Sequence, residues 1–206
     1  MEILLSVLGL LSFIALTGAT GLFVAIEFAL TGLERSTVDN HVKEVGDSSA
    51  KMVRRAHGDL SFVLSGAQLG ITITTLATGY LAEPILARFF TPLLDLFGVP
   101  DTATVAIALV LSLIIATGLS MVFGELVPKN WAISQPLPAA RAVVRPVWYF
   151  NKAFKYFIKG LNAVSNSIVR KLGIEPADEL ASARSAEELS ALVRNSAGSA
   201  GITQAK

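Results

Sequence analysis

Residues 102–129 read TATVAIALVLSLIIATGLSMVFGELVPK, and the way this run ends decides how the chain folds. From Thr102 to Gly124 there is no charge, and about 20 apolar residues are enough to cross a bilayer as a helix. The run then closes on Glu125, Pro128 and Lys129. A carboxylate at the edge of hydrocarbon is costly, and an ionisable group in such a place marks a functional site unless it only anchors the helix. A lysine beside it can snorkel to the headgroups. Position alone leaves both readings open, so the rest of the chain must separate them.

Working outward, the composition is that of an all-α integral membrane protein. Only 16% of the 206 residues are charged, against about 25% in soluble domains, and the mean hydropathy is +0.59. Two further stretches have spanning length, Ile3 to Ile26 and Leu60 to Ala82. The first lacks the basic flank of a signal peptide and outruns its usual apolar length, so it reads as a retained helix. With no cysteine, disulfides and thiolate metal sites are excluded. A net charge of +1 excludes the basic footprint of a nucleic-acid binder. No nucleophile–base pair or phosphate loop points to an enzyme.

Lysine and arginine fix the expected orientation. Arg35, Lys43, Lys51, Arg54 and Arg55 follow the first span, whereas Thr91 to Asp101 has no basic residue, and Lys129 begins a second basic stretch after the third span. The positive-inside rule puts the N-terminus outside and the C-terminus in the cytoplasm, as in a multi-pass plasma (inner) membrane protein. Glu34 to Asp59 reads as short helices in which His41 and His57 are surface residues. Residues 134–172 read as amphipathic juxtamembrane helices in contact with the lipid bilayer. Lys152, Lys155 and Lys159 oppose Phe150, Phe154, Phe157 and Leu161, with Trp148, Tyr149 and Tyr156 as interfacial aromatics. Pro136, Pro138 and Pro146 mark breaks in the path. The transport domain is expected over 1–173. A cytosolic linker is expected over 174–206, with a helix starting at the capping residue Ser185.

The second span is unusually polar. Ser61, Ser65, Gln68, Thr72, Thr75 and Gly79 fall in one stripe at helical spacing. Hydroxyls on such a stripe can glue helices together, or they can replace water around a cation. Glu27, near the end of the first span, offers a second carboxylate at a depth similar to that of Glu125. Magnesium prefers oxygen ligands, with one or two carboxylates among them. Pro128 cannot donate to the carbonyl of Gly124, and a carbonyl freed at membrane depth suits an ion site. The candidate metal-binding residues are therefore Glu125, Ser65, Gln68, Thr72, Glu27 and Gly124. Glu83, beside Pro84, reads as a cap or an outer-mouth charge.

Three segments together resemble the membrane domain of the CNNM/CorC family of magnesium transporters. They are Phe23 to Leu30, Ser65 to Thr72 continuing to Gly79 through Pro84, and Gly124 to Lys129. The resemblance implies three transmembrane helices with a juxtamembrane belt, a homodimer, and cytosolic CBS domains that bind ATP in the longer protein, with Glu187-Glu188-Leu189 as the lead-in to them. It implies that magnesium leaves the cytoplasm by alternating access, with sodium as the exchanged ion, and it matches the family glutamate to Glu125 and the family serine to Ser65. Many members have serine where this chain has Val24, and asparagine where it has Ile71. Two other functions fit the same residues. One is export of an organic cation such as a polyamine, held by the separated carboxylates Glu27 and Glu125. The other is a membrane sensor that binds an ion without transporting it.

Overall fold

The structure, a computed structural model, describes residues 2–173. The linker expected over 174–206, with the helix start at Ser185 and the Glu187 segment, lies outside the described residues. In chain order the elements are α1 (Glu2–Thr31), α2 (Arg35–Glu44), α3 (Ser48–Gly58), α4 (Leu60–Leu96) and α5 (Asp101–Leu119). A π-helical turn (Ser120–Leu126), α6 (Val127–Ser134), α7 (Pro136–Ala153) and α8 (Lys155–Lys171) follow. The contacts divide the chain into two units, Met1–Ile158 and Lys159–Lys206.

Three helical stretches are long and apolar enough to cross a membrane: Ser6–Thr31, Leu60–Leu96 and Thr102–Ser134. The expected spans are all present, and each runs past its expected end. The overrun is largest in α4. Its 37 residues measure about 55 Å at the helical rise, against a hydrocarbon core of about 30 Å. Pro84 removes one backbone donor, but the apolar residues after it keep the helix going. It stops only at Gly98, whose φ of +73° allows a left-handed C-terminal cap, with Val99 N–H bonding the Leu94 carbonyl at 3.2 Å. The backbone of Glu83 therefore lies inside a helix, not at the end of one.

The main core does not lie midway along the spans. It gathers where the C-terminal half of α1 meets the connecting helices: Ile26, Ala29 and Leu30 pack with Val38, Val53, Val63 and Val144. The burial explains α7, which reads from sequence as a helix in the headgroup plane. Its apolar stripe, Ala139, Ala140, Val143, Val144 and Val147, is buried against protein, and Pro146 is carried inside the helix. The basic-versus-aromatic pattern from Phe150 to Leu161 is not one helical face either. Phe154, at φ −96° and ψ 13°, separates α7 from α8. Phe150 turns inward onto Phe23, with ring centres 4.7 Å apart.

Polar contacts fasten the short helices. Asp47 caps α3 by accepting from the Ala50 N–H at 2.7 Å. Arg141 of α7 donates to both Asp47 oxygens, at 2.6 and 3.2 Å, and to His41 Nε2 at 2.7 Å. The Arg141 guanidinium, helped by the Ala50 amide, holds the Asp47 carboxyl below its ordinary value. His57 Nε2 donates to the Leu33 carbonyl at 2.9 Å. Both histidines are half-buried ties between segments rather than surface residues.

Candidate functional site

Small residues let α1, α4 and the π-helical turn approach one another. A side chain on Gly70 would meet the Phe23 ring at 2.6 Å, so only glycine lets α4 lie this close to α1. Beside that contact Thr20 Oγ donates to Thr74 Oγ across the two helices at 2.8 Å, while Thr74 donates to the Gly70 carbonyl at 2.8 Å. On the other flank of α1, Gly124 is buried. A Cβ there would touch Thr17 and Thr20 at 3.4–3.6 Å, and one on Gly21 would meet the Pro128 ring at 3.1 Å.

The π-helical turn follows from the same residues. A proline ring clashes with the carbonyl four residues before it in an α-helix, and for Pro128 that residue is Gly124. Widening the turn relieves the clash: the Val127 N–H bonds the Val122 carbonyl, five residues back. The extra residue re-aims the side chains of the turn, and single π-turns in helices often sit at functional sites. Here the turn directs Met121 and Glu125 into a cavity of about 560 Å³ between α1, α4 and α5.

That cavity receives both expected carboxylates. Glu27 and Glu125 line it, and neither pairs with a cation among the described residues. They are staggered rather than level. The turn carrying Glu125 crosses α1 near Thr20 and Gly21, whereas Glu27 lies further along α1 by about six residues, roughly 9 Å at the helical rise. Val24, Phe28 and Ile71 line the wall as well. Hydroxyls come from Thr20, Thr75, Thr78, Thr117 and Ser120. Thr78 donates its proton to the Thr74 carbonyl at 2.7 Å, and Thr20 to the Leu16 carbonyl or to Thr74. A hydroxyl whose proton is already given away offers only lone pairs, which suits a hard cation.

The remaining candidates lie elsewhere. Ser65 is half-buried on α4 outside this cavity, and Gln68 and Thr72 are exposed, with Thr72 donating to the Gln68 carbonyl at 2.8 Å. Gly124 packs against α1 instead of lining the space. Of the polar stripe, Thr75 and Gly79 reach the cavity. Thr117 and Ser120 escaped sequence reasoning because they sit in a run that is otherwise apolar. Their signal was the spacing to Glu125, since Thr117, Met121 and Glu125 recur every four residues and Ser120 follows Thr117 by one turn. Among the described residues no group of three or more acidic or histidine side chains could hold a metal, so any cation here relies on two carboxylates and neutral oxygens.

Three spans around a cavity that bears two carboxylates define a helical membrane protein. The profile of the CNNM family, the cyclin M transmembrane N-terminal domain, matches residues 10–206, and the chain belongs to that family. It is 50% identical over 196 residues to the UPF0053 protein MT1890 of Mycobacterium tuberculosis, covering 95% of this chain and 43% of the relative. It is 34% identical over 200 residues to the UPF0053 protein YugS of Bacillus subtilis, covering 97% and 46%. The chain thus spans a little under half the length of these relatives.

Proposed function

We propose that this chain is the membrane domain of a magnesium transporter that moves the ion out of the cytoplasm, with Glu125 as the principal charged ligand and Glu27 as the second. The observation that carries this reading is the pair of carboxylates facing one cavity, neither in an ion pair among the described residues. Magnesium dehydrates reluctantly and commonly keeps several waters beside one or two carboxylates. At about 30 Å³ per water, the cavity is large enough for a hydrated ion. That matters here, because Val24 and Ile71 offer no oxygen and water must fill their share of the coordination. Alternating access, exchange for sodium, a homodimer in the plasma membrane and ATP-binding CBS domains in the longer protein belong to the same proposal.

The stagger of the two carboxylates, with Val24, Phe28 and Met121 on the wall, supports a second reading: an organic dication such as a polyamine, one ammonium at each acid. Titration calorimetry separates the two. Magnesium should bind the wild-type protein, lose at least about tenfold in affinity on Glu125→Gln, equivalent to about 1.4 kcal/mol, and lose less on Glu27→Gln. Putrescine that binds more tightly than magnesium, with equal losses in the two variants, would favour the organic cation. Unchanged magnesium affinity in Glu125→Gln would remove the site altogether.

A further inference from the structure

The near-neutral chain hides a local imbalance. Between Glu125 and Glu175 there are eight lysines and arginines and no carboxylate. Arg141 is engaged within the protein by Asp47 and His41, Arg145 by the Ser48 hydroxyl at 2.7 Å, and Lys129 by the Phe28 ring. Lys152 and Lys155 are exposed at the junction of α7 and α8, and neither makes an ion pair among the described residues. The Lys152 ammonium lies 5.1 Å from the centre of the Trp148 ring. Around them Trp148, Tyr149 and Tyr156 are exposed, Tyr156 to 87%. These aromatics have apolar bodies and polar tips, which suit the boundary between headgroups and acyl chains.

We infer that the surface carrying Lys152, Lys155, Trp148 and Tyr156 binds the phosphate headgroups of anionic phospholipids, in preference to zwitterionic lipids. Charge complementarity selects the partner: basic residues near a membrane surface attract acidic lipid, each contributing about fivefold, and no carboxylate in the segment opposes them. The aromatics select a bilayer over a soluble polyanion, which would neutralise the lysines and leave the exposed rings in water. α8 taken by itself repeats the pattern. Phe157, Leu161, Val164, Ile168 and Leu172 form an exposed apolar stripe at helical spacing, and Arg170 and Lys171 close the helix.

The chain has two tryptophans, so Trp131→Phe leaves Trp148 as a single reporter beside the lysines. The variant is reconstituted into phosphatidylcholine bilayers in which either phosphatidylglycerol or phosphatidylcholine carries brominated acyl chains, and quenching of Trp148 is compared. Brominated phosphatidylglycerol should compete for the site at least about fivefold better. The preference should disappear in Lys152→Gln/Lys155→Gln, whose intact fold is checked by size-exclusion chromatography and circular dichroism. Equal quenching by the two lipids would overturn the inference, and so would a preference that survives the double substitution. Equal quenching together with tight binding of heparin would instead assign the lysines to a soluble acidic partner.

Discussion

Glu125 and Lys129 stand one helical turn apart, in the order that favours an ion pair, yet the Lys129 ammonium lies 4.7 Å from the centre of the Phe28 ring. The Glu125 carboxylate therefore makes no ion pair with Lys129. Val24 lines the same cavity, buried and without an oxygen to offer a cation. Val24→Ser should tighten magnesium binding about tenfold, the lower end of what a hydrogen-bonding group gives a charge, as read by calorimetry. The same change should lower thermal stability, because it removes buried apolar surface. Gly70→Ala should destabilise by about 1–3 kcal/mol, because the added carbon meets the Phe23 ring; thermal unfolding in detergent checks this. The two carboxylates were legible in the sequence, since charges inside spans are rare enough to stand out. Gln68 and Thr72 were not separable from Thr75 and Gly79, because a stripe at helical spacing shows a shared face but not which part of that face another helix covers.

The π-helical turn is the element that aims the site. The glycine and proline four residues apart were visible in the sequence and predicted a local break. The helix answers the clash by widening and continues, and periodicity alone does not foretell that outcome. Pro128→Ala removes the clash and lets the turn relax to α-helical geometry, which would rotate Glu125 away from the cavity. Magnesium affinity should then fall at least about fivefold although no ligand has changed, an effect of about 1 kcal/mol, while thermal stability holds or rises. Affinity equal to that of the wild type would show that the turn does not position the carboxylate. A second element-scale prediction concerns α3 and α7, which Arg141 joins through Asp47. Because the folded Asp47 carboxyl is held below its ordinary value, its contribution is present above that value and is lost as the pH falls through 3.8 and below. Arg141→Ala should flatten this acid limb of the stability curve, followed by helical circular dichroism against pH. A limb unchanged in the variant would show that the pair carries no linkage.

At the scale of the molecule, the sequence made three spans and their connecting helices plain, because long uncharged runs and basic connectors are strong signals. It did not reveal that α7 is gripped by the bundle. Amphipathicity reads the same whether the apolar face meets lipid or protein, and the burial of Val143, Val144 and Val147 against α1 separates the two. The resulting architecture sets a closely packed region, where α1 meets α4 and α7, beside the cavity between α1, α4 and α5, with Phe28 and Ile71 packed on the one and lining the other. If Glu125 and Glu27 hold a cation as proposed, it would bear on helix positions through Thr20, which lines the cavity and bonds Thr74 across α1 and α4. Glu125 is proposed to hold magnesium during transport. The most direct measurement is magnesium release from loaded proteoliposomes, followed with a fluorescent indicator, for wild type, Glu125→Gln and the exposed-surface control Lys43→Gln. Release is expected from the wild type and the control, with a loss of at least about tenfold, or about 1.4 kcal/mol, in Glu125→Gln while the protein stays folded. Release by Glu125→Gln at the wild-type rate would contradict it.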